Sequence, residues 1–197
     1  MYVLARRVLL DALDALATQR GAVILVGAQA IYLHTGEGDL AVPPFTLDGD
    51  LGLDPDALRA QPKLGAMLTA AGFHRTDQPG IWGTTRPLGR TTVEVTVDLL
   101  VPDRVGGPGR RGARLGPHGN WVARKVRGLE AVLVDRAPRM IAALAPDDRR
   151  RIEVAVTGPA ALLVAKLHKI TEQEVKRRRT VRESVNRSVR AHPARTA

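Results

Sequence analysis

Thr46-Leu47-Asp48-Gly49-Asp50-Leu51-Gly52-Leu53 is the stretch whose reading decides the fold. It reads as a short apolar strand with two acids at alternate positions. Side chains two apart in a strand share a face, so Thr46, Asp48 and Asp50 point the same way. The two carboxylates then lie about 7 Å apart and repel each other unless positive charge sits between them. A divalent cation held by oxygen ligands is the usual remedy. A calcium loop does not fit these acids, because Gly52 and Leu53 stand where such a loop needs an oxygen ligand and a glycine. Taken alone, the pair is equally compatible with an exposed strand end entering a turn.

Upstream, Leu4, Val8, Leu9, Ala12, Leu13 and Leu16 recur at helical spacing, with Arg6, Arg7, Asp11 and Asp14 off that face. Residues 3–19 are therefore expected to form an amphipathic helix. Ala22 to Val26 is an apolar run suited to a strand buried on both faces. Gly27 breaks it, and Ala28 to His34 reads as a short helix. Residues 35–44 are turn-rich.

Downstream, residues 56–71 suit a helix that Pro62 kinks or divides, and Ile81 to Thr85 a strand. Thr91 to Leu100 is the clearest strand: Val93, Val95, Val97 and Leu99 take one face, Glu94, Thr96 and Asp98 the other. Residues 103–120, rich in Gly, Pro and Arg, read as a mobile loop or lid. One or two strands are expected between Trp121 and Asp135, a helical turn at 139–144, and a strand at 152–156. Gly158-Pro159 opens a further helix. After about Thr171 arginine dominates, as in a fraying helix or a disordered tail.

The 197 residues suffice for one domain with a real core, and at 3% aromatic content that core must be aliphatic. No cysteine is present, which excludes disulfides and thiolate metal sites. No apolar run approaches the roughly 18 residues of a membrane span, so a cytoplasmic location with no membrane partner is expected. The net charge of +10 is unevenly placed. Residues 1–103 hold 8 Lys/Arg against 12 Asp/Glu, whereas residues 104–127 hold 7 Lys/Arg and no acid. An acidic half is followed by basic groups, Arg110-Arg111, Arg124-Lys125 and Arg127, that could meet phosphates or RNA or simply be solvated.

A glycine between strand and helix, an alternating acid pair and a third acid on a later strand suit phosphoryl transfer, in which cations hold a triphosphate. The glycine lets phosphates approach the backbone, and the next helix offers its N–H groups. Val26-Gly27-Ala28-Gln29-Ala30-Ile31-Tyr32-Leu33-His34, followed by Thr46-Leu47-Asp48-Gly49-Asp50-Leu51, resembles the nucleotidyltransferase superfamily of the polymerase-beta type, and within it the AbiEii-like toxins. Val97-Asp98-Leu99-Leu100 resembles the strand with that family's third acid. The helix from Gly158-Pro159 through Lys166-Leu167-His168-Lys169 resembles its lysine helix.

The resemblance covers roughly residues 1–170. It implies an α/β (α+β) fold: a small mixed sheet flanked by helices as a nucleotidyltransferase-like core over 1–157, a C-terminal helix over 158–175, and a basic tail over 176–197. It also implies Mg2+ or Mn2+ on Asp48, Asp50 and Asp98, with Asp98 activating the attacking hydroxyl. Gly27, Ala28, Thr46 and Lys166 would lie at the nucleoside triphosphate. The implied reaction transfers a nucleotidyl group to a hydroxyl of an RNA such as tRNA, a protein or a small molecule, and the implied setting is a toxin with an antitoxin partner.

The chain departs from that pattern at Ala28, where many members carry glycine or serine, and in the long connection from Gly27 to Asp48. It also lacks the acidic motif that follows the lysine helix. The alternative is a noncatalytic or truncated protein of this fold that binds RNA through its basic loop and tail. Glu94, on the face of Asp98, is an alternative third ligand. Lys166 and Lys169 could equally be the polar edge of their helix, and His34 and His168 read as boundary residues.

Overall fold

The computed structural model describes residues 1–36 and 48–191. Thr46, and much of the turn-rich connection, lie outside the described residues. Among the described residues four α-helices, α1 (Tyr2–Ala15), α2 (Gly27–Thr35), α3 (Leu64–Ala70) and α4 (Pro159–Ala191), accompany eight strands. The strands are β1 (Val23–Leu25), β2 (Asp48–Leu53), β3 (His74–Arg75), β4 (Ile81–Leu88), β5 (Thr91–Pro102), β6 (Arg124–Val126), β7 (Arg136–Ala142) and β8 (Arg151–Thr157). They form one mixed sheet in the order β3-β4-β5-β2-β1-β8-β7, with β6 added beside the end of β5. Pairing is parallel for β1 with β8, β2 with β5 and β5 with β6, and antiparallel elsewhere. The α/β architecture expected from the sequence is the one observed. Among the described residues, no helix is long and apolar enough to cross a membrane.

Period-two patterning gives the sheet two different faces. Leu51, Leu53, Val95, Val97 and Leu99 are buried on one of them, with Leu9 and Leu13 of α1, Leu16 just after it, and Leu64 and Leu68 of α3 in the same core. Each such side chain contributes about 1.5–3 kcal/mol through its burial. Gly49 lets α1 come close: a Cβ there would lie 3.0 Å from Leu9 Cδ1. The other face carries a smaller cluster, Ile24, Val26, Leu100, Leu129, Val132 and Ala161, beneath α4. Asp135 fixes the start of α4, its Oδ2 accepting the Ala161 N–H at 2.8 Å.

Four expectations are corrected. Residues 103–120 are not a lid: Ala113 and Leu115 are buried, and the segment is tied down by Ala113 N–H to Ala123 O and Arg114 N–H to Gly106 O, both 2.9 Å. Residues 139–144 do not form a helical turn, because β7 pairs along its length with β8; as the sheet's edge it tolerates Pro138. The 56–71 helix is reduced to a single 3-10 turn, Pro55–Ala57, and the short α3. Arg6 is buried rather than solvated, donating from Nε to Gln29 Oε1 (2.8 Å), from Nη1 to Ala142 O (2.9 Å) and from Nη2 to Tyr2 Oη (2.8 Å).

Candidate active site

The parallel pairing of β2 with β5 sets Asp48 opposite Thr96 and Asp50 opposite Asp98. Paired residues of adjacent strands project from the same face about 4.8 Å apart, and Asp48 is two residues before Asp50. All three acids therefore line the face covered by α4, while the apolar residues between them face α1. One register thus supplies both a core and a carboxylate row. Asp54 leaves the row for an ion pair with Arg136 at 2.8 Å, and Glu94 turns to His74 at 3.1 Å, so neither joins the three.

Gly27 opens α2 against this row. Its φ of +67° is one that only glycine adopts freely, and a Cβ there would overlap Asp50 Oδ2. The chain is held at this approach by Val26 N–H donating to Asp50 O at 3.1 Å. Ala28 follows in the first helical turn, partly buried.

The acids of the site raise one another's proton affinity. Burial, followed by the neighbouring Asp48 and Asp98 charges, pushes the Asp50 carboxyl up to about 7, against the pull of Arg124 and Lys169. Asp98 is 6% exposed, and burial likewise raises its carboxyl. Its hydrogen bond from Arg124 Nη2, and the charges of Arg124 and Lys169, work in the other direction. Hard carboxylate oxygens that suppress one another's ionisation fit a divalent cation such as Mg2+ or Mn2+ in charge and chemistry. Among the described residues, however, no three acidic or imidazole side chains converge into a finished cage. One oxygen of Asp98 is engaged by Arg124 instead.

The lysine acting on the row is Lys169, three positions beyond Lys166, and both are exposed. His168 packs on Gly128, and His34 Nε2 lies 2.8 Å from Thr157 O, so neither histidine joins the acids. Arg124 was legible only as part of a basic group. What brings it to Asp98 is the placement of β6 beside β5, with Arg124 opposite Leu100, two residues from Asp98 and on the same face. Comparison with family models, curated proteins and solved structures finds no match to the chain.

Proposed function

We propose that the chain is a metal-dependent nucleotidyltransferase, moving a nucleotidyl group from a nucleoside triphosphate to an acceptor hydroxyl. The observation that carries this reading is the Asp50–Asp98 pairing with Gly27 against it. It unites on one face the acid pair, the later acid and the glycine that the sequence separates.

Asp48, Asp50 and Asp98 would hold the divalent cations. Bound there, Mg2+ or Mn2+ would neutralise the triphosphate and polarise the bond to be broken. Gly27 keeps the α2 N-terminus open to phosphate oxygens, because any side chain would close the gap above Asp50. Asp98 accepts the proton of the acceptor hydroxyl, whose oxygen forms a bond to the α-phosphorus as pyrophosphate leaves with the electrons of the broken P–O bond. A carboxyl whose proton affinity is raised by burial is a better base for that step. Lys169, with Lys166 a turn earlier, supplies positive charge above the row.

RNA, including tRNA, is the acceptor most consistent with the basic segment, and a toxin role with an antitoxin partner is part of the same proposal. The alternative, a noncatalytic RNA-binding protein of this fold, is favoured by one observation: Arg124 engages the acid that a cation would need. Incubation with each labelled nucleoside triphosphate, Mg2+ and total RNA separates the two. Label transferred by the wild type and lost in Asp48→Ala is the expected result. Salt-sensitive RNA binding with no transfer overturns the transferase reading.

A further inference from the structure

Next to the carboxylate row lies a cavity of about 990 Å3, walled by the 103–111 segment, β6 and α4. Among the described residues five cations line it: Arg110, Arg111, Arg124, Lys125 and Arg127. Its two acids do not balance them, since Asp103 is already shared by Lys125 (3.3 Å) and Arg127 (3.6 Å), leaving Glu172. Volume and charge suit a phosphate-bearing ligand rather than an apolar one.

Arg124 belongs to both places. Its Nη2 bonds Asp98, the residue lines the cavity, and its Nε is buried with no hydrogen-bond partner among the described residues. A guanidinium cannot lose its proton, so Arg124 stays charged whether it sits on Asp98 or leaves it for another anion. A cation on Asp98 would draw on the same carboxylate charge and weaken its hold on Arg124.

We propose that this cavity is a phosphate-binding subsite and that Arg124 works between two positions, on Asp98 when the carboxylates hold no divalent cation and on a ligand phosphate when they do. Metal and phosphate ligand then bind with positive coupling, and linkage makes that coupling reciprocal. The metal-driven step rests on the carboxylate row being a cation site, as proposed above; the subsite itself does not. The phosphate could belong to a nucleic-acid backbone or to a free polyphosphate.

Fluorescence anisotropy of a short labelled single-stranded RNA, with inorganic triphosphate as competitor, compares the variants in EDTA and reads the metal coupling in wild type by repeating the titration in MgCl2, without any transfer reaction. Asp98→Asn releases Arg124 and is expected to tighten binding at least about fivefold, the low end of ordinary coupling. Asp98→Asn combined with Arg124→Gln is expected to lose that gain. Arg110→Gln/Arg111→Gln, at exposed positions where folding is insensitive, is expected to weaken binding in both backgrounds. Equal potency of triphosphate on a phosphate basis assigns the subsite to free polyphosphate, and weak competition assigns it to a strand.

The proposal is overturned if neither probe binds, if Asp98→Asn binds as wild type, or if its gain survives in the double variant. Loss of binding in a variant counts only where its thermal melt matches wild type. Coupling found in a protein that transfers no nucleotide would uphold the subsite and sink the transferase reading.

Discussion

Replacing Asp50 with asparagine is expected to stabilise the protein above neutral pH while removing its response to a divalent cation. The carboxyl is raised from 3.8 to about 7, so folding takes up a proton that the unfolded chain has already released. Below pH about 4 both states are protonated and the group costs nothing. From pH about 4 to 7 the cost grows by about 1.36 kcal/mol per unit, and above 7 it is constant at about 4 kcal/mol. Partial exposure and the new amide's own hydrogen-bonding needs reduce the recoverable part to about 2–4 kcal/mol. For a chain of this size that is a rise in Tm of about 4–16 °C at pH 8.

Thermal melts from pH 4 to 8, each with and without MgCl2, read the effect. Wild type is expected to lose more stability across the pH window than Asp50→Asn, which keeps only the smaller contribution of the raised Asp98 carboxyl. Mg2+ at ten times its Kd is expected to return about 1.4 kcal/mol to wild type and none to the variant. The reasoning fails if Asp50→Asn is the less stable protein at pH 8, if the two pH slopes agree, or if Mg2+ shifts both melts equally.

Gly27→Ala is expected to lose nucleotide transfer and at least about 1–2 kcal/mol of stability, from the left-handed backbone alone; urea unfolding with a transfer assay reads both. Lys169→Ala is expected to move the acidic limb of the pH–activity profile upward, because it removes a charge that favours ionised Asp50 and Asp98, whereas Lys166→Ala moves it less. Arg6→Met, which strips the bonds to Gln29, Ala142 and Tyr2 from a buried site, is expected to cost about 3 kcal/mol in urea unfolding and to leave the Mg2+ response of the folded protein unchanged. Asp135→Ala, which removes the cap on α4, is expected to cost about 1 kcal/mol, read by the same method.

The acid row was legible because strand periodicity is strictly two: Asp48 with Asp50, and Asp98 with its alternating valines, announce their face before any pairing is known. That the two strands pair in parallel with Asp50 beside Asp98 was not legible, since register is a tertiary property. Arg124 shows the same limit more sharply. Its sequence neighbours say only that it is basic, and the β5–β6 pairing gives it its partner.

The loop at 103–120 was misread because its glycines and prolines suggested mobility, when Gly112 instead admits the backbone carbonyl of Asn120. Residues 139–144 have no strand signature beyond what β8 imposes. Arg6 looked like a solvated residue of an amphipathic helix until the Gln29 side chain and the edge strand closed over it.

The parallel β2–β5 register also has a kinetic consequence. Asp50 and Asp98 meet only when two strands far apart in the chain have found each other, among the slowest kinds of contact for a polypeptide to form. The carboxylates are then pushed together late, against their own repulsion, so the centre cannot exist in a half-folded chain. Refolding should quicken as the pH falls from 7 toward 4, where one of the pair takes up a proton as the strands close.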